Sequence, residues 1–420
     1  AFMIAIDNTY VTCHKFTKDC VNRPNDTDPW QDHGCVDDEL FVFENPLRTD
    51  FFHRTIEWAM SLRMHTGQRI PLGDGSFSTH NGGALLTGFG AGGHFIWDWK
   101  TNINAPYEMD WGFNLKVQHL AYLDYSKEVQ QPSWTNKFMP KSGNAIFRSG
   151  WGPQDLYFML TAEHGSARKT LHDHADGTSF VMGGYNEIFL IDTGYYKPDH
   201  SRNAITSNPD SHNIIFINED GGPEKGLLNY WGDTDAFLEN YAEGKDGIWA
   251  EARKTYAGFT LTRGASMLRD RYFVVSDWLD PEDPTANDRD HTFKVRFHLW
   301  GGKDITDGVI TPKNGTSNIL NLDRPNGGIE IAISTSDGLP TFEQPDYTEK
   351  QNPHVHSMNG PKDHAVYDAI ITSNPTQFLT ILAPYATGAT SGADAPLIVT
   401  SVAAPTHSVA WRVKGDGFED

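Results

Sequence analysis

Residues 144–192 read NAIFRSGWGPQDLYFMLTAEHGSARKTLHDHADGTSFVMGGYNEIFLID. From about Asn144 onward the apolar residues alternate or gather in runs of strand length, such as Leu156–Thr161, Thr178–Met182 and Ile188–Ile191, each bounded by turn residues. The same pattern continues at Ile214–Ile217, Tyr272–Val275, Phe293–Leu299, Ile329–Ile333, Phe378–Leu382, Leu397–Val402 and Val409–Val413. Many short strands with little helix between them predict antiparallel sheets stacked as a sandwich.

Upstream the period changes. Ile6, Tyr10 and Cys13 recur at helical spacing, as do Phe52, Ile56, Ala59 and Met60, and again Phe113, Val117, Leu120 and Ala121. Ala1–Phe16 reads as the middle of a helix, and the chain as processed or truncated upstream. Val21–Asp38 and Ile70–Gly93, rich in Pro, Gly, Asn and Asp, read as long loops of the kind that form functional rims. The expected organisation is α+β multidomain. A helical domain spans 1–135, a linker lies near Glu128–Lys141 (Gln-Gln-Pro-Ser, Met-Pro-Lys-Ser), and an antiparallel β-sandwich spans 136–420.

The 420 residues carry 34 Lys and Arg against 55 Asp and Glu, a formal charge of −21, which argues against nucleic acid as a partner. Charged residues at 21% and aromatics at 12% are too apolar a balance for a disordered chain. No run approaches the roughly 18 consecutive apolar residues that a spanning helix needs. The three cysteines, Cys13, Cys20 and Cys35, are odd in number and form no C-x-x-C, so neither a zinc ribbon nor a thioredoxin-like motif is supported. Asn25-Asp-Thr27 and Asn314-Gly-Thr316 match the glycosylation sequon.

The densest polar cluster is His172-Asp173-His174-Ala175-Asp176, followed by Asp192-Thr193-Gly194-Tyr195-Tyr196 and then Asp210-Ser211-His212-Asn213. Imidazoles at i, i+2 share a side if the backbone is extended, and a later carboxylate and a third imidazole can reach them across adjacent strands. Two His and one Asp form a common ligand set for Zn²⁺. With 18 histidines in the chain, some H-x-H pairs arise by chance as surface or core residues. Arg168, Lys169, Lys197 and Arg202 form a local positive patch against the global charge, suited to an anionic substrate.

The stretch from Met139 to Asn213 resembles the signature of the heparinase II/III-like polysaccharide lyases, a group that includes oligoalginate lyases. WAEARKTYAGFTLTRGASMLRDRYFVVSDWLD (249–280) and HTFKVRFHLWG (291–301) resemble the strands that follow in that family, and Phe51–Met64 leading into TGQRIPLGDGS resembles the end of its helical toroid. The resemblance implies the C-terminal part of an (α/α) toroid followed by stacked antiparallel sheets, with a polysaccharide cleft between them. It assigns His172 to the active site and a zinc ion, structural rather than catalytic, to His174, Asp192 and His212. In some relatives an asparagine takes the third position, corresponding to Asn203. A tyrosine just after the aspartate reaches the substrate, corresponding to Tyr195 or Tyr196.

The family's principal tyrosine and the Asn or His that neutralises the substrate carboxylate belong to toroid helices that align upstream of Ala1. Either a second polypeptide completes the toroid or the chain is an inactive portion. The implied reaction is β-elimination on a uronate polymer of alginate or glycosaminoglycan type, with His172 as base or carboxylate partner, Tyr195 or Tyr196 as a proton shuttle, and Arg168, Lys169 and Arg202 holding the polymer. The alternatives are a uronyl C5-epimerase, a non-catalytic carbohydrate-binding protein and a metal-dependent hydrolase. The family habit is secreted or periplasmic and bacterial.

Overall fold

The computed structural model describes residues 12–14, 40–42, 46–73, 75, 83–101, 122–165, 174–194, 205–218, 235–283, 291–302, 304–313, 315, 317–345, 354–357, 360–373, 377–404 and 408–420. Alternation in the second half of the sequence produces two large antiparallel sheets. One has eight strands in the spatial order Val309–Pro312, Ile319–Asp323, Gly327–Thr335, Gln377–Ala386, Tyr272–Pro281, Phe259–Leu268, Gly247–Tyr256 and Ala236–Gly244. The other has nine: Thr341–Glu343, Ala365–Ser373, His291–Leu299, Glu187–Leu190, Phe180–Gly184, Tyr157–Thr161, Asn144–Arg148 and Lys137–Met139 in order, with Ile215–Ile217 also paired to His291–Leu299. Short sheets of two strands (His354–Ser357, Gly360–Asp363) and three strands (Ile398–Val402, Ala410–Gly415, Phe418–Glu419) accompany them.

One apolar core joins the two large sheets. Phe147, Phe158, Phe180, Phe189, Phe293 and Phe297 from the nine-stranded sheet meet Leu261, Phe273, Val275, Ile331 and Leu382 from the eight-stranded one. Phe158 and Phe273 stack across the interlayer with centroids 5.1 Å apart. Burying each such side chain contributes about 1.5–3 kcal/mol, so this layer fixes the frame that carries the site. In the eight-stranded sheet, Gly247–Tyr256 and Phe259–Leu268 bury alternate residues, as a sheet with one covered face does. Asn144–Arg148, Tyr157–Thr161 and Phe180–Gly184 are buried at every position. Their second face meets the segment beginning at Ser61: the Arg148 guanidinium donates to the Ser61 carbonyl, and His65 lies over Gly183, where a Cβ would come within 2.4 Å of the imidazole.

The chain divides into two compact units, one of residues 1–60, 81–100 and 113–130, the other of 61–80, 101–112 and 131–420. The sheets belong to the second. In the first, the expected helix near Phe52 spans Asp50–Ser61, opening with the Phe52 amide on the Thr49 hydroxyl at 3.3 Å. A second helix, His94–Thr101, packs Ile96 with Ala84 and Leu123.

Several expectations for this region need correction. Among the described residues of 1–135 the α-helical ones are these two helices and Tyr122, with 3₁₀ turns at Pro46–Arg48 and Gly83–Phe89, so the described part displays few helices and not an (α/α) toroid portion. Thr12–His14, placed in a helix by spacing, is a strand paired with Leu40–Val42; three residues at i, i+4 and i+7 are weak beside the β-preference of a Val-Thr pair. The edge strand Lys137–Met139 opens the β region at the end of the Glu128–Lys141 segment, and the Ile70–Gly93 loop includes the 3₁₀ turn Gly83–Phe89. Phe113–Ala121, Val21–Asp38, Cys20 and Cys35 lie outside the described residues. Among the described residues no helix is long and apolar enough to cross a membrane.

Candidate metal centre

Three segments that flank strands of the nine-stranded sheet converge on one buried point. His174 precedes the turn in which the Ser179 amide returns to the Asp176 carbonyl at 2.7 Å, and the Ala175 amide is held by the Ser207 carbonyl at 2.9 Å. Asp192 follows strand Glu187–Leu190, anchored by the Ile191 amide on the His298 carbonyl at 3.1 Å. His212 leaves the 3₁₀ turn Pro209–Ser211 in extended conformation, its amide on the Pro209 carbonyl at 3.2 Å.

The three side chains are fully buried, with 0%, 1% and 0% of their surface exposed. Their nearest ligand atoms all lie within 4.8 Å of one another. His212 Nδ1 and Asp192 Oδ2 are 2.8 Å apart, and the two imidazole centroids 5.4 Å. An N₂O donor set at this spacing fits a divalent ion of the zinc type, whose ligand bonds of about 2.0–2.1 Å need the donors drawn in by an ångström or so. Among the described residues no other group of three or more His, Cys, Asp and Glu side chains meets this geometry.

Asn213, next to His212, locks the arrangement. Its Nδ2 donates to the carbonyls of Phe180 at 2.7 Å and Ile191 at 3.0 Å, its Oδ1 accepts from the His298 amide at 2.6 Å, and its own amide donates to Ser179 Oγ at 3.1 Å. One side chain thus links the strands that deliver all three candidate ligands. His298 pairs through Nδ1 with His364 Nε2 at 2.9 Å, and burial together with the neighbouring imidazole and the Arg296 charge holds its pKa well below the usual histidine value.

The structure therefore gathers His174, Asp192 and His212. His172, Tyr195, Tyr196, Arg168, Lys169, Lys197, Arg202 and the alternative ligand Asn203 lie outside the described residues. His174 lies outside any strand. In the sequence Asn213 stands out only as the neighbour of His212; the signal for its role is a polar residue between a histidine and the continuous apolar run Ile214–Ile217.

A family model described as Heparinase II/III-like, C-terminal, matches residues 131–403. No curated protein sequence matches the chain. Among solved structures, a heparinase III gene product is similar with a TM-score of 0.62 at 12% identity, covering 88% of this chain and 52% of its own. The heparan sulfate lyase HepC from Pedobacter heparinus is similar with a TM-score of 0.59 at 14% identity, covering 87% of this chain and 51% of its own. A structure of heparinase III gives 0.61 at 14%, covering 88% and 53%. The chain thus spans about half the length of the structures it matches.

Proposed function

The chain belongs to the heparinase II/III-like C-terminal family, and from that membership we propose that it serves a polysaccharide lyase that cleaves a uronic-acid polymer by β-elimination. The observation that carries this reading is the fully buried His174–Asp192–His212 set two residues from His172. Total burial keeps the three side chains away from a polymer, so they suit bracing a segment rather than touching substrate.

Elimination needs the C5 proton removed, the uronate carboxylate neutralised while negative charge develops, and the C4 oxygen protonated as it departs. His172 is the base or the carboxylate partner. Tyr195 or Tyr196, which follow Asp192 by three and four residues, position the sugar and return the proton. Arg168, Lys169 and Arg202 hold the anionic polymer. Zinc, held by His174, Asp192 and His212, supplies a structural crosslink rather than an activated water, since elimination consumes no water. A heparan-type glycosaminoglycan is the first substrate to offer, as the similar HepC structure is that of a heparan sulfate lyase, and alginate the second. A secreted or periplasmic location follows from such a substrate.

The test is ultraviolet absorbance of the unsaturated uronate product, with heparan sulfate, chondroitin, alginate and ulvan each offered to the protein. A rise with one polymer that is abolished in His172→Ala supports the reading. No rise with any polymer, or full activity in His172→Ala, overturns it, and deuterium uptake at C5 without unsaturated product would indicate an epimerase.

A further inference from the structure

Arg263 and Asp277 stand directly opposite each other on neighbouring strands of the eight-stranded sheet. Both are completely buried. By alternation Arg263 shares its face with Leu261 and Ala265, and Asp277 with Val275 and Leu279, all members of the interlayer core. An ion pair here has lost its hydration, and a core of apolar residues of equal volume is often as stable or more so. The pair therefore calls for an explanation other than packing.

The guanidinium's remaining bonds supply it. Nε and Nη2 engage the two Asp277 oxygens at 2.6 and 3.2 Å, which fixes the plane of the fork. Nη1 then crosses to the other sheet and donates to the carbonyls of Thr178 at 2.6 Å and Asn213 at 2.8 Å. Thr178 has φ of 74°, a left-handed conformation that a β-branched residue seldom adopts. It closes the turn that follows His174. Asn213 follows His212. One side chain thus joins the two segments that deliver the two candidate histidine ligands, from a sheet that contributes no ligand.

We infer that Arg263, held in plane by Asp277, is a positioning residue for the metal centre: it sets the spacing between the His174 and His212 segments through their backbone carbonyls. This rests on the reading of His174, Asp192 and His212 as a metal site. A lysine cannot reproduce the function, because one ammonium lacks the planar fork that meets a carboxylate bidentately and two carbonyls together.

The experiment uses the full chain, stripped of metal, with Co²⁺ as the probe. Arg263→Met/Asp277→Leu removes both charges together and leaves neither stranded, and Arg263→Lys keeps the charge. Both variants are expected to bind Co²⁺ about 10–100-fold more weakly than the wild type, with altered visible bands, in line with the effect of removing outer partners of metal ligands. In the metal-free proteins, amide exchange should quicken at 174–181 and 208–216 while 144–148 stays protected. Wild-type affinity and spectrum in Arg263→Lys overturns the inference, whether or not the paired variant folds. A wild type that binds no Co²⁺ defeats the metal reading instead, and unchanged exchange at 174–181 and 208–216 then defeats the positioning role separately.

Discussion

The side-chain amide of Asn213 donates to the Ile191 carbonyl at 3.0 Å, so the residue after His212 is tied to the residue before Asp192. The same amide reaches Phe180 at 2.7 Å, and the oxygen takes the His298 amide at 2.6 Å. Replacing Asn213 by Leu strands two buried carbonyls and one buried amide, each costing about 1–3 kcal/mol. Asn213→Leu should lose about 3 kcal/mol or more in urea unfolding. A loss below about 1 kcal/mol would show that the three bonds do not hold the strands.

The convergence of His174, Asp192 and His212 could be anticipated from the sequence because these residues cluster in short motifs at strand ends, a location that turn residues announce. Its support was not. Arg263 looks like one charge in an alternating strand, and nothing local distinguishes a guanidinium aimed inward from one facing solvent. Only the register of Arg263 with Asp277 and the approach of the opposite sheet reveal it. Likewise the sheet strands could be read from alternation, whereas Thr12–His14 took its structure from a partner at Leu40–Val42, some thirty residues away. Such non-local pairing leaves no periodic trace.

Metal should stabilise the fold through Asp192. An ion that binds only the native state at a free concentration 100 times its dissociation constant adds about 2.7 kcal/mol. Zinc should therefore raise the melting temperature of the wild type, and Asp192→Asn, which removes the charge at nearly constant volume, should abolish the increase. Identical melting of the wild type in zinc and in chelator would contradict the centre.

His65 sets an acid limit. Burial, aided by the Arg148 charge and opposed by the Glu187 backbone, lowers its pKa from 6.5 to about 3. Between those values the unfolded chain holds a proton that the folded one refuses, so stability falls as pH drops from about 6.5 towards 3, by at most about 1.4 kcal/mol per unit. His65→Gln, uncharged throughout, should flatten that slope. Equal slopes across this window in the two proteins would mean that His65 is protonated in the fold.

Arg296 separates two carboxylates by their surroundings. It meets Asp368 bidentately, with both bonds at 2.7 Å, and Asp210 through Nη1 at 2.7 Å. The Asp368 side chain is 1% exposed and that of Asp210 28%. Removing the arginine leaves Asp368 charged and dry, whereas water can reach Asp210. Arg296→Met should therefore lose about 3–5 kcal/mol, as breaking one side of a buried pair does. Asp210→Ala should lose no more than about 1 kcal/mol, as partly exposed pairs do. Because Asp210 lies in the turn leading to His212, its removal should loosen metal binding more than it lowers stability. Urea unfolding and Co²⁺ titration of the same two variants decide the point, and an Asp210→Ala variant that loses several kcal/mol while binding Co²⁺ normally would reverse the assignment.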